Sequence, residues 1–357
     1  MNYCLFKLAF STPVHFGSSE SARSLDTSQM SFCADTLFSA ICHQAALVGN
    51  RGGDAENALQ ELYDMAATGT LLLSDSFPYK DASCYLPKPY LRPFHHRDCM
   101  SSNNPGFDSE LNSALNCASG SETGSESDSS HENGKLMKKL RYIPIHLFQQ
   151  YIDAVSHGKL FPLELIDHDF GQNYIAGKVS LLSPEKPEPY SVGLFSFYKN
   201  CGLHFIIGYQ NDTVLTKFCQ LMKSLEFGGL GGKTSSGYGK FHIDQIIPLS
   251  ASESDSQYRE LYRLLIKDNS AMTLTTSLPN NEELDTAMQD CAYSLVRRGG
   301  FIQSAFFDSP VKKHTQYFFA AGSVFQNRFC GSIYNVASNG PHPVYRYAKP
   351  LFVGVSL

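Results

Sequence analysis

Residues 227–241 read FGGLGGKTSSGYGKF, six glycines in fifteen positions. A helix or strand interior does not hold so many glycines, because each loses backbone entropy with no side chain to pack. The stretch is a loop, and its flanks fix its setting. Before it, DTVLTKFCQLMKSLEF puts Val214, Phe218, Leu221 and Leu225 on one helical face, with Asp212 as the expected N-cap. After it, Phe241, Ile243 and Gln245 alternate as a strand does. The chain runs helix, glycine loop, strand. A phosphate loop of the nucleotide-binding kind runs strand, loop, helix, with a glycine five positions before the Gly-Lys pair. Counted back from Lys233, that position is Phe227. The dinucleotide pattern fails as well, because Thr234 stands where its last glycine belongs. ATP binding is not expected.

The segments upstream set the fold class. Cys4, Phe6, Leu8 and Phe10 alternate as a first strand, and DTLFSAICHQAALV follows with Leu37, Ile41, Gln44 and Val48 on one stripe, widened by Phe38 and Ala45. Asp35 or Ser31 is suited to cap that helix. SVGLFSFYKNCGLHFIIGYQ reads as a hairpin turning at Lys199-Asn200-Cys201-Gly202. Strand, helix, hairpin, helix and strand give βαββαβ, the ferredoxin-like order shared with RNA-recognition domains. A softer stretch, Pro248–Gln257, reads as a linker between residues 1–247 and 258–357. Beyond it AMTLTTSL reads as a strand, NNEELDTAMQDCAYSLVRRG as a helix ending in Arg297 and Arg298, and HTQYFFAAGSVF and PLFVGVSL as strands. The expected class is α+β, two ferredoxin-like units in tandem.

Charge is unevenly spread. The formal net charge is −5, yet residues 98–134 alone carry seven acids and no Lys or Arg. The rest holds 34 − 7 = 27 acids against 29 bases, so it is slightly basic and suited to a polyanion where its cations cluster. The acidic stretch is Ser-, Asn- and Gly-rich, which predicts a mobile, partly disordered insertion within about 88–141. The ten cysteines include no CxxC pair, which predicts free thiols, no metal site and a reducing, cytoplasmic setting. No apolar run reaches membrane-spanning length and the N-terminus lacks a basic leader, so neither membrane association nor secretion is expected.

The loop chemistry suits an extended polyanion better than a compact triphosphate. Gly228, Gly229, Gly231, Gly232 and Gly237 allow close backbone approach, and Lys233, Thr234, Ser235, Ser236, Tyr238 and Lys240 supply donors. The opposite reading is a surface hairpin that touches nothing. The loop resembles the glycine-rich loop of the RAMP proteins of CRISPR systems. FSTPVHFGSS, FCADTLFSAIC, LLLSDSFPY, YLPKPYL, YSLVRRGGFIQS, AGSVF and GPHPVYRYAKPLFVGV follow in the order seen in their fourth Csm subunit, the Cas-five-like branch of type III-A complexes. This resemblance spans nearly the whole chain outside the acidic insertion.

It implies a structural subunit that holds the repeat-derived 5′ tag of the CRISPR RNA. It also implies two protein partners, the large polymerase-like signalling subunit and the backbone RAMP subunit. On that footing the glycine loop touches tag phosphates, joined by Ser18 and Arg23 after the first strand. Lys88, Lys138, Lys139 and Arg141 flank a thumb-type insertion, and Arg297 and Arg298 are further candidates. Tyr345, Arg346 and Tyr347 are suited either to stacking on bases or to packing under the last strand. A rival implied by other RAMP relatives is metal-independent RNA cleavage, for which His15 and His43 are the candidate general acid–base groups. No cofactor is expected for either.

Overall fold

The computed structural model describes residues 1–17, 25–52, 55–91, 139–157, 161–180, 188–268, 270–302, 304, 307, 311–337 and 340–355. The acidic stretch 98–134, Ser18, Arg23 and Lys138 lie outside the described residues.

One seven-stranded antiparallel sheet organises the chain. Its order is β5 (Tyr142–Pro144), β4 (Ser83–Pro87), β3 (Phe77–Lys80), β8 (Cys201–Tyr209), β1 (Asn2–Phe10) and β9 (Phe241–Leu249), with β2 (Leu71–Leu73) also on β8. Every residue of β8 is buried, because both faces of the sheet are covered. On one face Cys4, Phe6, Leu8, Phe205 and Ile207 pack under α1 (Ala34–Gly52), α2 (Ala55–Ala67) and α4 (Asp212–Gly228). On the other, Leu5, Phe77, Leu86 and Ile206 meet α3 (Ile145–His157) and α5 (Ser256–Ile266). Fully buried side chains such as Phe38 and Phe218 each contribute about 2–3 kcal/mol by leaving water.

The helical stripes pack as their spacing predicts, with small shifts. Leu37, Phe38, Ile41 and Ala45 are buried on α1, and Val214, Phe218 and Leu225 on α4, where Met222 rather than Leu221 completes the buried set. The cap of α4 is Asn211, not Asp212. Its backbone is extended and its side chain accepts the Val214 N–H at 3.1 Å, the geometry an N-cap requires. Nor does Asp35 or Ser31 cap α1. The Ala34 N–H is taken by Asp75, 2.8 Å away and distant in sequence.

The expected hairpin at residues 198–202 is not a strand pair. β7 (Glu188–Phe197) leaves the sheet and pairs over ten residues with β6 (Gly171–Ser180), from Gly171↔Phe197 to Ser180↔Glu188. β8 pairs instead with β1, β2 and β3. Tyr174, Ile175 and Val179 of this two-stranded ribbon are exposed.

Residues 248–257 are the end of β9, a turn and a helix cap. Asp255 accepts the Gln257 N–H at 2.9 Å, and the Gln257 carboxamide accepts from Cys84 N at 3.0 Å and donates to Ala82 O at 2.7 Å. The helix that follows therefore docks on the first sheet. Beyond it, a second sheet with the order of the first does not form among the described residues. Three small sheets stand there: β13 (Val324–Phe325), β10 (Ala271–Thr273) and β16 (Phe352–Gly354); β11 (Leu295–Arg298) with β12 (Gln316–Phe319); and β14 (Ile333–Asn335) with β15 (Tyr345–Tyr347). The expected helix at 280–299 is one short turn, α6 (Leu284–Ala287). Asp290 takes a left-handed φ of 46° soon after, and the chain leaves as β11, so Arg297 and Arg298 lie on a strand rather than at a helix end. After β10 the chain keeps its bonds to its own part, with Leu274 N–H on Leu351 O and Ser277 paired with Phe319, and it also bonds the first sheet. Thr275 Oγ1 donates to Leu73 O at 2.8 Å, and Asp75 N–H donates to Leu274 O at 2.9 Å.

Candidate nucleic-acid interface

The glycine loop leaves α4 with its backbone turned into the left-handed region and folds back on the exit of β1. Gly229 N–H closes the helix on Leu225 O, Gly232 N–H reaches His15 O, and Gly239 N–H reaches Pro13 O, each at 2.8 Å. Two glycines are compulsory for this packing. A Cβ on Gly231 would lie 2.8 Å from His15 O, and one on Gly239 only 2.1 Å from Leu230 O. Gly237, by contrast, faces open space. Most of the glycine content thus serves contact between loop and strand exit within the chain.

The lysines of the loop diverge. Lys240 Nζ donates to Phe227 O at 2.7 Å and so satisfies a carbonyl at the C-terminal end of α4. Lys233 points away, 5.0 Å over the Tyr190 ring on β7, while Lys178 on β6 lies 4.9 Å over the Tyr238 ring. Loop and ribbon therefore face each other through two cation–ring contacts, worth about 0.5–1 kcal/mol each where exposed. Ser235 and Ser236 are exposed at the loop tip.

On the other side of the loop runs a groove of about 510 Å³. Its walls are Gly228, Gly229, Gly231, Gly232 and Thr234, the strand exit at His15 and Phe16, the first turns of α1, and Arg298, Lys313 and Arg346. Sequence reasoning brought the loop and Arg298 to this place but not Lys313, whose VKKHTQ setting has no periodicity to mark it. Arg298 is not free to meet a ligand with its full charge. Its Nε and Nη2 donate to the two oxygens of Asp35 at 3.0 and 2.6 Å, and Nη2 also donates to Thr36 Oγ1 at 3.1 Å. Burial opposes ionisation of Asp35, but Arg298, with Arg346 and Lys313, outweighs it and holds the carboxyl below its usual range.

Behind the groove Asp75 accepts Ala34 N–H and Thr276 N–H on one oxygen and the Thr276 hydroxyl on the other, at 2.8, 3.0 and 2.6 Å. Burial nevertheless pushes its carboxyl up to about 6. Burial likewise pushes the Cys33 thiol up to about 12, so it is not a nucleophile. Among the described residues no cluster of three or more His, Cys, Asp or Glu is placed to hold a metal.

The remaining candidates fall elsewhere. Lys88 and Arg141 line a neighbouring cavity with Ser31, Cys33 and Asp75, and burial lowers the Lys88 pKa. Lys139 is exposed beside them, and Arg297 is exposed on β11. Tyr347 is core: it is fully buried, and its hydroxyl accepts Leu73 N–H at 2.9 Å. Tyr345 lies against Tyr63, ring centroids 4.4 Å apart. The aromatic pair thus takes the packing role rather than base stacking. The two histidines, by contrast, both line the groove: His15 is buried with Nδ1 2.7 Å from Gly193 O, and His43 is exposed on α1.

Comparison with known proteins gives the same relatives by three routes. A model of the RAMP superfamily matches residues 7–242, and one of the CRISPR Csm4 C-terminal domain matches residues 267–355. The CRISPR system Cms protein Csm4 of Mycobacterium tuberculosis is 31% identical over 357 residues, covering 99% of this chain and 98% of the relative. That of Streptococcus thermophilus is 30% identical with the same coverage. Among solved structures, the Csm3–Csm4 subcomplex of the type III-A CRISPR-Cas interference complex aligns with TM-score 0.60 at 16% identity, covering 100% of both chains. The Csm1–Csm4 cassette in complex with pppApA aligns with TM-score 0.58 at 17% identity, covering 100% of this chain and 99% of the other. These structural matches carry the fold, mixed α/β with antiparallel sheets.

Proposed function

The chain belongs to the RAMP superfamily and within it to the Csm4 family, and from that premise we propose that it is a non-catalytic, RNA-binding structural subunit of a type III-A CRISPR interference complex. It holds the 5′ tag of the CRISPR RNA along the glycine loop and joins the large signalling subunit to the backbone RAMP filament in the cytoplasm. Two similar structures hold Csm4 with Csm1 and with Csm3, and the same two kinds of partner are assigned here. The observation that carries the RNA reading is the groove, with a glycine-loop wall on one side and cations on the other. Phosphodiesters suit such a site because backbone amides, hydroxyls and cations all donate to their oxygens.

The order β9-β1-β8-β3 with α1 and α4 on one face supports a ferredoxin-like reading of residues 1–247. Residues 258–357 form the smaller unit of the division. Within the first, the RNA strand continues from the groove over the loop tip. There Lys233, Tyr238 and the exposed loop hydroxyls, on the side turned from the groove, take further phosphates, and Ser18 and Arg23 are assigned the same role. Lys88, Lys138, Lys139 and Arg141 guide it at the base of the insertion. The nuclease alternative is not favoured by His15, which has one ring nitrogen pinned to a carbonyl in the interior. His43 is exposed at the groove, but among the described residues it has no second candidate acid–base histidine beside it that is free of such a bond.

The test is to purify the tagged chain from its host with whatever it carries. Sequencing should return CRISPR RNAs beginning with repeat-derived 5′ ends, and the co-purifying proteins should include a large subunit and a RAMP filament subunit. Random RNA, or none, contradicts the reading. So does cleavage of repeat RNA that disappears in His15→Ala or His43→Ala.

A further inference from the structure

The groove beside the glycine loop carries more positive charge than its internal partners neutralise. Arg298, Arg346 and Lys313 line it together with a single carboxylate, Asp35. Both oxygens of Asp35 are already taken by Arg298, and the nearest Arg346 nitrogen stands 3.9 Å from one of them. A second carboxylate, Asp75, sits behind the groove with its hydrogen bonds spent on Ala34 and Thr276, and with its charge included three cations still stand against two carboxylates. Arg346 is 3% exposed, and its guanidinium is held by neutral acceptors, namely Arg298 O, Gly299 O, His314 O and the Gln316 carboxamide. Such acceptors orient a cation but do not cancel its charge.

Lys313 completes the set. Its backbone N–H is fixed on Gly300 O at 2.9 Å, which anchors the side chain at the rim. Among the described residues its ammonium makes no hydrogen bond or ion pair. Burial lowers its pKa against the pull of Asp35, and repulsion from Arg346 and Arg298 lowers it further. A half-buried ammonium set against two fixed guanidiniums is a site waiting for an anion. Residues from both ends of the chain build it, the loop and α1 on one side and residues 298–346 on the other.

We propose that Lys313, backed by Arg346 and Arg298, binds one phosphate of a single-stranded RNA backbone in the groove beside the glycine loop. The proposal rests on the RNA-binding reading and adds a contact from the C-terminal part of the chain, so that one bound strand bridges the two parts. The phosphate is read as charge and shape, without base preference. Arg298 and Arg346 act as positioning residues, since their hydrogen bonds are spent within the protein.

The test compares the full-length chain with Lys313→Met and Lys313→Arg, using short single-stranded RNAs of two unrelated sequences and, separately, inorganic phosphate. Lys313→Met should weaken both RNAs by about three- to tenfold and reduce the log–log salt slope by about 0.7, the value for one phosphate on a single strand. Lys313→Arg should restore affinity, and the melting temperature without RNA should not fall in either variant. Inorganic phosphate should compete with RNA only weakly. If wild-type protein binds RNA and Lys313→Met binds it equally with an unchanged slope, the proposal is wrong and the RNA reading stands. A loss that Lys313→Arg does not restore, or that comes with a lower melting temperature, gives Lys313 a folding role and overturns the proposal. Full competition by millimolar inorganic phosphate would make the site one for the free ion and overturn it too. Wild-type protein that binds no RNA removes both readings.

Discussion

At the scale of single residues, the glycine loop separates two demands that composition alone merges. Gly239 needs both its left-handed φ of 70° and the absence of a Cβ, which would meet Leu230 O at 2.1 Å. Gly237 needs only its φ of 87°, since nothing lies within 4 Å of the added atom. Gly239→Ala should therefore cost roughly 2–3 kcal/mol and Gly237→Ala about 1 kcal/mol, read from urea unfolding of the full chain. Equal costs would contradict the packing described. Asp75 offers a second residue-level test. Its carboxyl is raised from 3.8 to about 6 in the fold, so the stability it contributes is full below 3.8 and is lost as pH rises through 6. Relative to Asp75→Asn, the wild type should lose on the order of 2–3 kcal/mol between those limits, measured by unfolding across that pH range. Asp35, whose pKa is lowered, has the opposite sign: its contribution is present above the unfolded value and is lost on acidification. A flat difference between wild type and Asp75→Asn would return Asp75 to an ordinary, solvated carboxylate. The glycine cluster was legible as a loop, but its partners were not. His15, Pro13 and Leu230 meet these glycines through contacts that span over two hundred positions for the strand exit, and local pattern carries no trace of them.

At the scale of elements, periodicity located what packing rewards. The stripes on α1 and α4 and the alternation of β1 were visible because one face of each is buried. The ribbon of β6 and β7 was misread because β7 looks like any sheet strand, while its exposed partner β6 has no apolar face to announce it. The helix expected at 280–299 failed for a different reason. Its early acids and final arginines satisfy a helix dipole, but Arg298 is drawn instead to Asp35, and β11 pairs with β12. Caps are decided by backbone geometry that spacing leaves open by one residue, as α4 illustrates. Asn211→Ala should cost about 1 kcal/mol and Asp212→Ala only a few tenths, by thermal or urea unfolding. The reverse ranking would restore Asp212 as the cap.

At the scale of the whole molecule, the uneven charge has a functional consequence. The acids of residues 98–134 would repel an RNA backbone, while the remainder of the chain is slightly basic. Replacing residues 101–134 by a short Gly-Ser bridge should leave RNA affinity within about twofold, and a deletion reaching Arg141 should lower it further, both by direct binding. Collapse of affinity on the shorter replacement would make the insertion part of the grip. The family was legible because its motifs follow one another in order along the chain. The groove was legible only by half, since Lys313 and Arg346 reach the glycine loop through tertiary contact alone. The central claim is that this chain holds RNA by its backbone at the glycine loop, and Lys233 tests it most directly. Its ammonium faces the ribbon across the loop and closes no helix, unlike that of Lys240. The decisive measurement is equilibrium binding of single-stranded RNA by the full chain, wild type against Lys233→Ala, from about 0.05 to 0.2 M salt. The account predicts affinity that falls steeply with salt and little with base sequence, and a slope flatter by about 0.7 in the variant. Binding that ignores salt, or a slope unchanged by Lys233→Ala, would contradict it.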